Sequence, residues 1–269
     1  MKSWHFTIKY AAIALAVILI ISIASGIMHI LSFFISTFTP NVTGEYKTYE
    51  IENDIDILDI DIHSIDIEVK TTTNSEFRVE SNYNYLIVKE KENKLLIEDK
   101  KAFYLNLDGK AMITLYIPEN KMLDKVEIRT GAGSTDLKNI KTKLIDMQLG
   151  AGEAILQNVS ASDEAFIETG AGKLSIRDSK LHNLDLDMGV GQFEFSGILL
   201  GKNSLKMGVG SSQIDLTGSL DDYTLNIEKG LGDIYVGEDN LKKNTQLGQG
   251  DSKLFFEGGV GSVRIDFSE

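Results

Sequence analysis

The chain has 269 residues, 42% apolar and 25% charged, which is enough apolar side chain for a packed core and too much for wholesale disorder. It contains no Cys, so disulfides, thiolate metal sites, iron–sulfur clusters and cysteine catalysis are excluded. A formal charge of −13 is the wrong sign for a nucleic-acid partner, whose phosphates are met by clusters of Lys and Arg.

Residues 11–35 run for 25 positions without Asp, Glu, Lys or Arg. A helix of about 20 apolar residues crosses a bilayer, so the sequence predicts a single transmembrane anchor over residues 11–38 of the cell membrane. Lys2, Lys9 and the amino terminus lie on the short side and Glu45 is the first charge on the other, which puts residues 1–10 in the cytoplasm. The rival is a cleaved signal peptide ending near Ser22-Ile23-Ala24. Signal cores run about 7–15 apolar residues, and this stretch continues well past Ala24. His29, inside the span, reads as a neutral imidazole near the outer interface. Residues 39–50 then form a linker and residues 51–269 an extracytoplasmic domain. Once Lys2 and Lys9 are set aside, 25 basic side chains face 40 acidic ones, a formal −15.

Within that domain residues 51–130 are irregular. Residues 51–70, IENDIDILDIDIHSIDIEVK, alternate apolar and acidic positions and slip parity around Leu58-Asp59 and again around His63-Ser64. Residues 77–117 read as longer strands, with Glu92-Asn93 turning a hairpin and Pro118 ending the last of them.

Residues 131–269 carry the repeat. Sixteen of the 24 glycines form eight Gly-x-Gly pairs: Gly131 and Gly133, Gly150 and Gly152, Gly170 and Gly172, Gly189 and Gly191, Gly208 and Gly210, Gly230 and Gly232, Gly248 and Gly250, and Gly259 and Gly261. The first glycines are spaced 19, 20, 19, 19, 22, 18 and 11 residues apart, a period that belongs to stacked solenoid coils. Counting the first Gly as zero, positions −5, −3 and −1 are mostly apolar before the pair, whereas the apolar positions after it become +4 and +6, as in Leu174 and Ile176 or Phe193 and Phe195. A one-residue slip moves every side chain of a strand to the other face, so the pair must absorb that slip as a bulge or corner. The predicted fold is all-β: a parallel β-solenoid of ~19-residue coils, each with two strands of about five residues, closed elsewhere by polar turns such as Ser160–Glu164 and Gly201–Ser204. The middle residues, Ala, Ala, Ala, Val, Val, Leu, Gln and Val, suggest a mostly buried stacked position. The short last spacing suggests a capping hairpin at the C-terminal end.

The runs ITLYIPENKMLDKVEIRTGAGSTDL, LDMQLGAGEAIL, AFIETGAGKLSI and LDLDMGVGQFEF resemble the bacterial putative-adhesin β-strand-repeat family, in which a strand ending in Pro precedes Thr-Gly-x-Gly coils. Pro118 and Thr130-Gly131-Ala132-Gly133 match that pattern, and the resemblance covers residues 45–269. It implies a β-strand-repeat fold with no catalytic residues to carry over, and a link to cell-envelope stress responses against antimicrobial peptides. The chain departs from some relatives in lacking a further cytoplasmic regulatory domain, so a direct signalling role is not implied.

Chemical motifs are sparse, and no cofactor is predicted. No pair extends to Gly-x-Gly-x-x-Gly at a strand-to-helix junction. Gly197-Ile-Leu-Leu-Gly201-Lys202-Asn203 is one residue short of a P-loop and lacks its Ser or Thr. His63 and His182 show no metal-ligand spacing and read as surface or turn histidines. The distinctive charge feature is the acidic ladder Asp54, Asp56, Asp59, Asp61, Asp66 and Glu68, which offers hard-oxygen ligands for a divalent cation or a field for cationic peptides, or else forms the solvated face of a strand. The sequence therefore predicts a non-enzymatic, membrane-tethered binding or scaffold module of the cell envelope, with envelope proteins, cationic peptides or wall components as partners. The competing reading is an enzyme acting on envelope polysaccharide, which needs a groove with Asp or Glu pairs about 5–10 Å apart and aromatic neighbours.

Overall fold

The computed structural model describes residues 42–100 and 111–268. The anchor expected over residues 11–38 lies outside them; among the described residues no helix is long and apolar enough to cross a membrane. The described chain is almost entirely strand, with one 3₁₀ turn at Leu220–Asp222.

The strands in chain order are β1 (Thr43–Glu50), β2 (Ile57–Ser64), β3 (Asp66–Thr72), β4 (Arg78–Tyr83), β5 (Leu86–Lys91), β6 (Lys94–Asp99), β7 (Met112–Pro118), β8 (Met122–Lys138) and β9 (Lys141–Gln157). They continue with β10 (Ser160–His182), β11 (Leu184–Leu200), β12 (Lys202–Thr217), β13 (Tyr223–Glu228), β14 (Ile234–Val236), β15 (Asp239–Leu241), β16 (Thr245–Leu247), β17 (Ser252–Glu257) and β18 (Val260–Ser268). β8 to β12 are long strands that pair in parallel on both sides of the Gly-x-Gly corner, with register shifts in β10 at Ala161/Glu164 and Ile176/Ser179. Each contributes its first half to one sheet and its second half to another.

The parity slip is visible in the burial. In β9, Ile145 and Met147 point inward before the corner and Ala154 and Leu156 after it; in β11, Leu186 and Met188 give way to Phe193 and Phe195. The second glycine takes positive φ at every corner, from 118° at Gly133 to 149° at Gly210. Stacking adds a second demand. A Cβ on Gly172 would land inside 3 Å of the Gly152 carbonyl, and the same collision recurs at Gly152, Gly191, Gly210 and Gly261 with the coil beneath. The corner side chain would point along the stacking axis, where the next backbone already sits.

The coil of β2 and β3 has no glycine at its corner, as its sequence pattern predicts. Leu58, Ile60 and Ile62 are buried before His63-Ser64, and Ile65, Ile67 and Val69 after it. Its register with β8 places Ser64 beside Ala132, hence His63 and Ile65 in the glycine slots. These positions tolerate side chains because no described coil corner lies beneath them. The Asp99 carboxylate occupies that side, accepting from the His63 backbone N–H at 2.8 Å and lying 2.7 Å from its Nδ1.

Three expectations require correction. The middle residues of the corners turn outward: Val190, Val209, Val260 and Leu231 are about half or more exposed and stack in one column coil over coil. A corner between two sheets must aim its apex side chain away from both.

The second correction concerns Gly248 and Gly250, which the repeat pattern makes a corner pair and which form no corner. β16 runs antiparallel to β13 and β17 runs parallel to it, so the chain reverses direction between Leu247 and Ser252 and cannot pass through a coil corner there. Gly248 takes φ 70° in this turn. Gly250 lacks the positive φ of a second corner glycine and donates its N–H to the Tyr223 carbonyl at 3.1 Å. Its need for glycine is local: a Cβ on Gly250 would collide with the Asp222 carbonyl, not with a corner of the next coil.

Nor do the last residues form a capping hairpin. β17 and β18 make a full coil inserted between β12 and the earlier β13/β14 coil, pairing in parallel with both sides. Capping falls to β15 and β16, which run antiparallel to β14 and β13. At the other end β6 and β7 pair in parallel outside β2 and β3, and β5 and β4 cap them antiparallel, with Glu92 turning the expected hairpin at φ 55°. β1 then pairs with β4. The turns away from the glycine corners use left-handed Asn139, Asn158, Asp178 and Asn183, with Asn158 donating to Asn139 at 2.7 Å.

Ion pairs between outward side chains run along strands and across coils. Glu194 meets Lys173 at 2.8 Å and Arg177 at 3.1 Å, Glu68 meets Lys70 and Lys138, and Glu127 meets Lys125. Hydrogen bonds from Lys173, Lys70 and Lys125 respectively hold these three carboxyls below the usual glutamate range.

Gly172→Ala should cost about 3 kcal/mol or more in urea unfolding, since it combines left-handed strain with a backbone collision locked on both sides. Ala151→Ser, at an outward corner apex, should stay within about 0.5 kcal/mol. The three paired glutamates bind a proton less readily folded than unfolded. They therefore stabilise the fold above the ordinary value of about 4.3, and this contribution is lost as pH falls through their lower folded values. The urea midpoint should fall between pH 6 and pH 3, and Glu194→Gln should reduce that difference.

Candidate binding face

The acidic ladder does not converge on one site. The corner at His63-Ser64 sends Asp54, Asp56, Asp59 and Asp61 toward the first sheet and Asp66 and Glu68 toward the second. Each carboxylate already has a donor. Lys121 bridges Asp54 at 2.5 Å and Asp56 at 2.8 Å, and its hydrogen bond, followed by that of Asn93, holds the Asp56 carboxyl below the usual range. Arg129 reaches Asp59 at 3.0 Å and Asp61 at 3.3 Å, and Lys94 also meets the nearly buried Asp59. Asp66 accepts the Ser134 backbone N–H at 2.8 Å. Among the described residues no group of three or more His, Asp or Glu could hold a metal ion. His63 sits at a corner beside Asp99, and His182 packs its Nδ1 3.3 Å from the Asp163 carbonyl. The segment resembling a P-loop is the end of β11 and a bend at Gly201, with no helix after it.

A different feature emerges from the strand register. On the first sheet, positions −4 and −2 from each corner point outward and line up across coils. The −4 column reads Asp59, Glu127, Asp146, Phe166, Asp185, Ser204, Phe255 and Asn226. The −2 column reads Asp61, Arg129, Gln148, Glu168, Asp187, Lys206, Glu257 and Glu228. At the N-terminal end these columns are charge-compensated, with Arg129 and Lys125 answering Asp59, Asp61, Glu127 and Asp146. From Glu168 onward they are not. Glu168, Asp185, Asp187, Glu228 and Glu257 have no ion-pair partner among the described residues, and Lys206 is the basic residue within this stretch of the columns.

Two phenylalanines break the outward polar pattern on this same stretch, Phe166 at 42% exposure and Phe255 at 49%. Three coil steps separate them, about 14 Å at a strand spacing near 4.8 Å. Each floors a shallow groove. That of Phe166 has a volume of about 290 Å³, lined by Asp146, Gln148, Glu168, Asp185, Asp187 and Lys206. That of Phe255 has a volume of about 490 Å³ and is walled at its far side by Asn244, Thr245 and Gln246 of the cap. The second sheet contrasts with this: Glu194 collects Lys173, Arg177, Ser175 and Gln192, and Arg264 lies over the Tyr235 ring.

Phe166 and Phe255 are singled out by none of the motifs read from the sequence. The signal was present in the reading frame of the repeat, because both stand four residues before a glycine pair, an outward offset.

Comparison with known proteins places this architecture. Among curated proteins none matches the chain. A putative cell adhesion protein from Clostridium sporogenes shares 16% identity, aligned over 83% of this chain and 99% of that one, with a TM-score of 0.37. A putative adhesin from Bacteroides fragilis shares 13% identity over 83% and 98%, with a TM-score of 0.44. A putative lipid binding protein from Parabacteroides distasonis shares 14% identity over 84% and 98%, with a TM-score of 0.31. The family model described as Toastrack DUF4097 matches residues 55–265, from the glycine-free coil to the inserted C-terminal one, and the chain belongs to that family.

Proposed function

We propose that this protein is a binding or scaffold module of the cell envelope, tethered by a single span over residues 11–38 with its β-solenoid outside the membrane. The observation that carries the binding reading is the uncompensated stretch of the first sheet, where five carboxylates without ion-pair partners among the described residues flank two exposed phenylalanine rings. A structural surface has no need of that combination. Unpaired acids on neighbouring strands repel one another, and exposed rings lose the burial that the same residues enjoy inside. A partner bearing positive charge and flat apolar groups would relieve both, through charge complementarity and cation–π contact. The tether follows from the charge-free stretch of 25 residues and the basic residues before it.

The polysaccharide-enzyme reading has one point in its favour on the same face: Glu168, Asp185 and Asp187 are neighbours on adjacent strands beside Phe166. They are exposed on an open sheet, without the enclosing walls of a catalytic cleft. Binding is the reading this arrangement supports better.

Tetralysine should bind the full chain in lipid nanodiscs with an affinity that falls as salt rises. The triple variant E168Q/D185N/D187N should lose at least about tenfold in affinity with an unchanged unfolding midpoint. Equal affinity in the variant would remove this face as the binding surface. Release of reducing ends from cell-wall polysaccharide, lost in the same variant, would turn the reading to the enzyme. Cells lacking the protein should survive cationic peptides less well and show an altered envelope-stress reporter; unchanged survival and reporter would remove the stress role alone.

A further inference from the structure

The two phenylalanine grooves differ in chemistry although they share Lys206 and one sheet. Around Phe166 stand Glu168, Asp185 and Asp187 with Lys206, and Asp146, which is already paired with Lys125. Around Phe255 the near-neutral set is Ser204, Asn226 and Gln246 in line with the ring, with Lys206, Glu257 and Glu228 along one side. The register is continuous: Ser204 pairs with Phe255, Phe255 with Asn226, and Asn226 with Gln246. Four neighbouring strands therefore present hydroxyl, ring, amide and amide in one row.

The side chains of Ser204, Asn226 and Gln246 have no hydrogen-bond partner among the described residues. This sets them apart from the amides that hold the solenoid together. Asn203 is buried and bonds to Leu184, Leu200 and Lys253, Asn183 bonds to Asp163 and Lys202, and Asn244 accepts from the Lys229 backbone. An amide offers two donors and an acceptor on one planar group, and a carboxylate two acceptors. Vicinal hydroxyls, each both donor and acceptor, match such groups, while the C–H face of a pyranose matches an exposed phenyl ring in shape and polarity. A cavity of about 490 Å³ lies in the range of small-ligand sites, and its opening onto the sheet leaves room for a chain to continue.

We propose that the Phe255 groove is a saccharide subsite that takes one neutral pyranose unit of a glycan. The ring of Phe255 stacks on the sugar face. Asn226, Gln246 and Ser204 bind hydroxyls along the row, and Glu228 and Glu257 accept from hydroxyls on the open side. With one lysine against two glutamates, this subsite is less acidic than the Phe166 groove, where four carboxylates line the wall with the same lysine. The two readings share Phe255, Glu228 and Glu257, but Ser204, Asn226 and Gln246 belong to the saccharide subsite alone and Glu168, Asp185 and Asp187 to the acidic groove alone.

Saturation-transfer difference NMR on the full chain in lipid nanodiscs tests it, with cellotriose and tri-N-acetylchitotriose as probes and tetralysine as competitor. At least one trisaccharide should receive saturation on the pyranose C–H protons that pack against the ring. Phe255→Ala should weaken binding at least about fivefold and Asn226→Ala about twofold, while Phe166→Ala leaves it unchanged. Phe255→Leu keeps an apolar side chain while removing the flat ring, and it should weaken binding as well; it serves if the alanine variant unfolds. No transfer to either trisaccharide at about 10 mM would overturn the subsite, as would undiminished transfer with Phe255→Leu. Binding of tetralysine alone, lost in E168Q/D185N/D187N, would leave the cationic-partner reading standing and the saccharide subsite refuted.

Discussion

The close approach of backbone to backbone at the glycine corners governs the rest of the molecule. Parallel coils stack at the hydrogen-bonding distance of a β-ladder, and at the corner the Cα–Cβ direction lies along the stack instead of across it. A side chain there would occupy the carbonyl of the coil beneath, as the space around Gly152, Gly172, Gly191 and Gly210 shows. Glycine is needed for two reasons at once, the positive φ of the second position and the absence of a Cβ at both. The exception supports the argument. His63 and Ile65 stand in the same slots of the coil whose corner, among the described residues, meets the Asp99 side chain.

That constraint made much of the fold legible. Once Gly-x-Gly is recognised as a fixed point, the residues before and after it fall into inward and outward sets, and Ile145, Met147, Ala154 and Leu156 are buried as the parity requires. The order of coils in space was not legible. Spacing along the chain says that Gly259 begins another corner, but nothing in the spacing tells β17 and β18 to slip between β12 and β13. Parallel pairing is equally good with either neighbour, and the choice is made by the antiparallel β15 and β16, which leave the returning strands only the inner slot. That return is also why Gly248 and Gly250 share the motif but not the corner: their glycines serve a reversal of the chain, where spacing alone cannot tell a turn from a bend. The corner apices were misread for a related reason. Ala, Val and Leu suggest burial by composition, yet a bend between two sheets has no interior at its apex, so these side chains pack on one another in a half-exposed column.

The acidic ladder and the binding face show how the same sequence feature can differ in meaning with position. Asp54 to Glu68 look concentrated along the chain, but alternation and the corner distribute them over two sheets, and Lys121, Arg129, Lys94 and Lys138 arrive from segments far away in sequence. Glu168, Asp185, Asp187, Glu228 and Glu257 look scattered along the chain, yet the coil period gathers them on one surface. In a solenoid the relevant neighbours of a residue are those one period away, so clustering must be judged column by column.

Columns also explain why function and stability can separate in this architecture. The inward positions and the glycine corners carry the packing, and they repeat because every coil must satisfy the same geometry. The outward −4 and −2 positions of the first sheet bear no such demand, and a change there alters the surface without disturbing the ladder beneath. Compensated pairs at one end and uncompensated acids with exposed rings at the other are thus variations on a single scaffold. The rigid backbone fixes their spacing to the strand distance, so Phe166, Asp185, Ser204, Phe255 and Asn226 form a ruled line of side chains. An extended ligand laid across the strands meets a new side chain at each coil, and its recognition depends on the order of residues in the column, with no loop having to close around it.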